Sequence, residues 1–126
     1  KYKNYVAGKN HKWLKFTSHK KGDYIEFKIP PVKADEYVLR IRYKQGKDVG
    51  CVQTFVDNEK IGKKLDMFSK KDFRFKYKDL GIVKIKDSEK KSVRFKVTGK
   101  NSLSKGYLMH LDQIMLYRTD WINNKQ

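Results

Sequence analysis

The residues of this chain that could do covalent or acid-base chemistry are few and poorly spaced for it. His11, His19 and His110 lie on different segments, no two have metal-ligand spacing, and no HExxH, GxSxG, P-loop or GxGxxG pattern occurs. The acids are scattered singly. Asp57, Asp66 and Asp112 could meet in a folded domain, yet each has a simpler reading as a turn cap or strand-end partner. Catalysis by this chain alone is therefore not expected, and its informative side chains are those that bind.

Three sets stand out. Trp13 falls on the polar face of its segment and Trp121 in a polar tail, and planar apolar rings of this kind stack on the C–H faces of sugars. The competing reading is that a Trp belongs to a core or an interface. Asn101 and Tyr107 flank an SLSKG loop and could offer an amide and a hydroxyl to a ligand, although Asn101 could equally cap its own turn. Basic residues recur on the polar faces of three segments: Arg40, Arg42 and Lys44; Arg74, Lys76 and Lys78; Arg94 and Lys96. On neighbouring strands such cations form a ladder that an anion would relieve. On separate sheets they are ordinary solvated charges, the plainer and favoured reading.

Positioning these residues falls to short alternating segments. Ile25, Phe27 and Ile29 point one way in GDYIEFKIPP, and Pro30-Pro31 ends the strand because proline cannot donate to the ladder. EYVLRIRYK sends Tyr37, Leu39, Ile41 and Tyr43 inward. CVQTFVDNEKIG carries Val52, Thr54 and Val56 on one face, with a tight turn at Asp57-Asn58. Phe73, Phe75 and Tyr77 alternate with Arg74, Lys76 and Lys78 and read as an inward aromatic face; Val93, Phe95 and Val97 repeat the device. The last strand, from Tyr107, spaces Leu108, Leu111, Ile114 and Leu116 by two and by three, so a bulge is expected near His110 and Leu111. About eight short strands separated by Gly, Asp and Asn turns predict an all-β sandwich or barrel. Residues 1–12 and 118–126 lack this beat and read as a leading linker and a tail or linker around a module at 13–117.

Composition agrees. A chain of 126 residues makes one domain. Its 13% aromatic content suits strands, its single cysteine excludes a disulfide framework, and no apolar run approaches the roughly 18 residues of a membrane span. The net charge of +17 attracts polyanions, but lysines far outnumber the five arginines, and lysine is the default solvated cation. Opening on Lys1 without a start methionine or signal peptide, the chain reads as a piece of something longer.

The order GDYIEFKI, EYVLRIRY, VGCVQTFVDNEKIGKKLDMF, KDLGIVKI and VRFKVTGKNSLSKGYLMHLDQIMLY resembles the galactose-binding-like jelly-roll modules attached to secreted bacterial glycoside hydrolases and related polysaccharide-degrading enzymes. The resemblance covers roughly Trp13 to Tyr117 and places Asp57, Gly62, Asp66, Gly99, Asn101, Ser104, Gly106, Tyr107, Leu111, Asp112 and Ile114 in the family's motif positions. It implies a jelly-roll β-sandwich of two antiparallel sheets. Asn58 stands where the family's turn has Gly, a residue that still accepts a left-handed backbone. Many relatives hold a structural calcium; here no acid precedes Asp23, and Asp112 alone makes no oxygen cage, so no cofactor is expected.

The first expectation is thus a non-catalytic carbohydrate-binding or accessory module, with Trp13, Asn101 and Tyr107 near a rim site and Arg40, Arg42 and Arg94 favouring acidic sugars. Its partners would be a polysaccharide and a neighbouring catalytic domain, without membrane insertion, and its location secreted, periplasmic or at a bacterial cell surface. The alternatives are a structural domain packed on a catalytic partner and a nucleic-acid-binding β-domain. The inward reading of Phe73, Phe75 and Tyr77, away from the cations, counts against the last.

Overall fold

The computed structural model describes residues 2–6 as backbone and residues 13–71, 73–87 and 89–120 in full. Nine strands occur among them: β1 (Tyr2–Val6), β2 (Leu14–Phe16), β3 (Tyr24–Ile29), β4 (Asp35–Lys44), β5 (Cys51–Val56), β6 (Glu59–Asp66), β7 (Phe75–Ile85), β8 (Lys91–Gly99) and β9 (Met109–Arg118). They form an all-β jelly-roll sandwich. One sheet has the order β1-β9-β4-β7, with β2 lying along β9 beyond β1; the other has the order β3-β8-β5-β6. All strand pairings are antiparallel.

The alternation in β4 does what its sequence predicts: Tyr37, Leu39, Ile41 and Tyr43 are buried while the residues between them are not. Leu39, Ile41, Leu111, Ile114 and Leu116 of the first sheet meet Val52, Val93, Phe95 and Val97 of the second, with Met67 and Met109 filling between them. Asp57 and Asn58 both have positive φ, 49° and 70°, the two-residue turn that joins β5 to β6.

Two expectations are corrected. Residues 2–6, read as part of a leading linker, pair with Gln113–Tyr117 of β9. Their own sequence lacks an apolar beat, so the strand is imposed by the partner edge they meet. The aromatics of β7 are also on the other face. Phe75 pairs with Lys44, Tyr77 with Arg42 and Asp79 with Arg40, all outward residues of β4, whereas Lys76 and Lys78 pair with buried Tyr43 and Ile41. A bulge at Leu80 then shifts the register, so that Leu80, Val83 and Ile85 turn inward. Phe75 and Tyr77 before the bulge alternate with lysines just as an inward face would, and nothing in that alternation shows that they point outward. The bulge in β9 falls at Asp112, one to two residues beyond its expected place. His11 and Trp121 lie outside the described residues.

Candidate functional site

The register of β7 against β4 builds an unbroken aromatic and cationic surface on the outside of the first sheet. The Arg42 guanidinium lies 4.2 Å from the centroid of Phe75 and 5.7 Å from that of Tyr77. Arg40 lies 4.6 Å over Tyr117, and the Lys44 ammonium 4.5 Å over Trp13. Trp13 meets Phe75 edge to face at 5.4 Å. Tyr77 is 62% exposed and Trp13 38%, so the face has apolar ring surface open to a ligand at both ends. Sequence reasoning found Trp13, Arg40 and Arg42 but missed Phe75 and Tyr77. The signal for them was Gly81 beside Leu80, a glycine inside a strand pattern.

Each arginine on this face is held by a carboxylate. Arg40 is in a two-point ion pair with Asp79, and Arg42 Nη1 lies 2.6 Å from Asp112 Oδ2. The β9 bulge is what aims Asp112 at Arg42, and the pair holds the guanidinium over Phe75. The Arg40 pair is exposed and orients its side chain more than it stabilises the fold, whereas the Arg42 pair is part-buried. The same pairing occupies an Asp112 oxygen, and no set of three His, Cys, Asp or Glu residues able to hold a metal gathers among the described residues. Arg94 is on the other sheet, paired with Glu26 at 3.1 Å and 4.7 Å over Tyr24, so the structure does not bring it together with Arg40 and Arg42.

His110 ties the aromatic face to the rim. Trp13 Nε1 donates to His110 Nδ1 at 3.1 Å. An indole nitrogen can only donate, so the imidazole proton sits on Nε2, 3.4 Å from Asp48 Oδ1. Burial pushes the His110 pKa down, against the pull of Asp48, and the ring stays neutral at pH 7. A hollow of about 420 Å³ lined by Lys44, Asp48, Phe73, Lys105 and His110 opens at this corner. Phe73, expected inward, is exposed there under Lys47.

The GKNSLSKGY loop beside the hollow is chiefly a brace. Ser104, buried, places its Oγ within 2.6 Å of Val49 O, 3.1 Å of Lys47 O and 3.0 Å of Gly106 O. A Cβ on Gly106 would lie 3.0 Å from Asp48 O, so the two loops approach more closely than a side chain there would comfortably allow. Asn101 is tied into this frame: Nδ2 donates to Asp66 at 2.9 Å and Oδ1 accepts from Leu103 N at 3.0 Å. Tyr107 packs on the core edge with Lys100 6.0 Å over its ring.

The sequence matches no protein-family model and no curated protein. Solved structures resemble it. A Paenibacillus xanthan lyase superposes with a TM-score of 0.81 at 25% identity over 93% of this chain, which spans only 12% of the lyase. A family 35 carbohydrate-binding module from an environmental isolate gives 0.62 at 12% identity, covering 92% of this chain and 93% of that module. The CBM36-1 domain of a multidomain xylanase from the hindgut metagenome of Trinervitermes trinervoides gives 0.59 at 7% identity, covering 93% and 97%. The chain has the jelly-roll fold of such carbohydrate-binding modules and of a domain in a polysaccharide-degrading enzyme.

Proposed function

We propose that this chain is a non-catalytic glycan-binding module and that its binding surface is the outer face of the first sheet, around Trp13, Phe75 and Tyr77. The carrying observation is the continuity of that surface: three aromatic rings, Tyr77 and Trp13 of them exposed, are interleaved with Lys44 and with two arginines whose orientation is fixed by carboxylates. Ring faces take the C–H surface of a sugar, and Arg42 and Lys44 stand beside them as polar groups for its hydroxyls, while His110, both of whose ring nitrogens are engaged, fixes Trp13. Arg40 and Arg42 each already have a carboxylate partner, so this face suits uncharged sugars better than the run of cations in the sequence suggests. Asn101 and Tyr107 serve the loop frame beside it rather than the ligand.

In this reading the module sits beside a catalytic domain of a secreted or surface polysaccharide-acting protein, and raises the effective concentration of that domain on its substrate. The fold it shares with carbohydrate-binding modules supports this.

A second reading has one observation in its favour. Aromatic and basic side chains share a face, where the sequence put them on opposite ones, and stacked rings among cations also suit single-stranded nucleic acid. Affinity electrophoresis against neutral and acidic polysaccharides, with an oligothymidylate competitor, separates the two. Retardation by at least one glycan that survives the competitor supports the module. Tight oligonucleotide binding that falls steeply with salt, with silence on every glycan, overturns it.

A further inference from the structure

The outer face of the second sheet carries a different hollow, of about 520 Å³, in which Lys21, Lys60, Lys64 and Lys96 surround Phe55 and Gln53. We infer that this hollow is a second binding site, for a sugar ring bearing an anionic substituent, a carboxylate or a sulfate ester.

The site is built by a bulge. Residues 62–64 of β6 together oppose the single residue Gln53 of β5, and this carries Lys60 and Lys64 to either side of the hollow. Gln53, only 2% exposed, holds the bulge in place: Nε2 lies 3.1 Å from both Ile61 O and Gly62 O and 3.2 Å from Thr54 O. Lys96 enters from β8 directly across from Gln53, and Lys21 from the turn before β3. Phe55, half-buried, supplies an apolar ring between them.

The lack of carboxylates sets this hollow apart from two others on the surface. One of those is lined by Asp57 and Glu59, the other by Asp48. No Asp or Glu lines the hollow, and none of its four lysines has an ion-pair partner among the described residues. Four like charges gathered around one concavity repel, and an anion between them converts that repulsion into attraction. A hollow of this size admits a sugar or two, with Phe55 against the ring face and lysine ammonium groups around the acid. The anionic requirement comes from the lysines alone; the choice of a sugar over other anions rests on the glycan-binding reading. With the aromatic face on the opposite sheet, the two sites would let one module engage two chain segments.

The test titrates trigalacturonate, its neutral methyl ester, a sulfated disaccharide, inorganic phosphate and an oligothymidylate into the isotopically labelled protein at physiological salt, following backbone amides. The variants are Lys60→Gln/Lys64→Gln/Lys96→Gln and a charge-matched control, Lys33→Gln/Lys70→Gln/Lys86→Gln. The expected result is a shift of Phe55, Lys60 and Lys96 signals by trigalacturonate or the sulfated sugar and not by the ester. The hollow variant should weaken that binding by about tenfold or more, and the control by about threefold or less. Equal weakening in both variants, absence of shifts in the hollow, shifts with phosphate alone, or tighter binding of the oligonucleotide would each overturn it. Failure of the aromatic-face reading is a separate outcome: neutral glycans then bind none of the three proteins, whatever the hollow does.

Discussion

Gly62→Ala offers a severe check on how the two sheets are held at their open edge. Gly62 lies in the β6 bulge with φ of 67°, and a Cβ built there would sit 1.9 Å from the carbonyl oxygen of Leu80, the bulged residue of β7. Two costs follow. Alanine in the left-handed region costs about 1–2 kcal/mol. The clash is with backbone fixed in a sheet, not with the end of a flexible side chain, so relief requires the strands to move, a packing penalty of about 1–3 kcal/mol. The sum is about 2–5 kcal/mol, a large share of the stability of an ordinary domain. For a chain of this length that corresponds to a fall in Tm of roughly 10–20 °C. Urea and thermal denaturation should be run beside Gly22→Ala, where φ is 100° but nothing lies within 4 Å of the added methyl. That variant carries the backbone cost without the clash, and should lose no more than about 1–2 kcal/mol. If Gly62→Ala is no more destabilised than Gly22→Ala, the contact of β6 with β7 is misplaced, and with it the setting of Lys60 and Lys64.

The other predictions are simpler. Ser104→Ala removes a buried hydroxyl that braces the 47–49 and 104–106 segments and should lower stability by about 1–3 kcal/mol in urea titration; an unchanged midpoint would show that the loop is held by backbone contacts alone. His110 titrates lower in the folded state than in the unfolded chain, so the unfolded state takes up its proton first as pH falls. Stability is then complete above the ordinary histidine value, about 6.5, and declines below it. His110→Gln should flatten that slope relative to the natural protein, and the Trp13 indole N–H resonance should move with the same titration. Identical pH dependence in both proteins would contradict the Trp13–His110–Asp48 arrangement.

The fold was legible where one face of a strand is apolar and the other charged. In β4, Leu39 and Ile41 against Arg40 and Arg42 could be read by eye, and the positive φ at Asn58 follows from its residue type. Periodicity alone reached a sandwich or barrel; the jelly roll came from the family resemblance carried by the order of segments and the GKNSLSKGY motif. The candidate face was only half legible. The Leu80 bulge reverses β7 after Asp79, but Phe75 and Tyr77 before it alternate with lysines as a core face would, so they read as core when they are on the outer face. The neutralisation of Arg40 by Asp79 and of Arg42 by Asp112 depends on strands 39 and 70 residues away, which no local pattern reveals. For the same reason the lysine hollow was invisible: Lys21, Lys60, Lys64 and Lys96 come from three separate regions joined only by sheet order.

The central claim is that the aromatic face of the first sheet binds glycan, and Tyr77→Ala tests it most directly because the ring is largely exposed and its removal leaves the core intact. Calorimetric titration of the most strongly retained polysaccharide, after Tm has been shown to be preserved, should give an affinity reduced by about tenfold, from lost ring burial and stacking. An affinity equal to that of the unaltered protein, with the fold intact, would contradict the account and place the binding surface elsewhere.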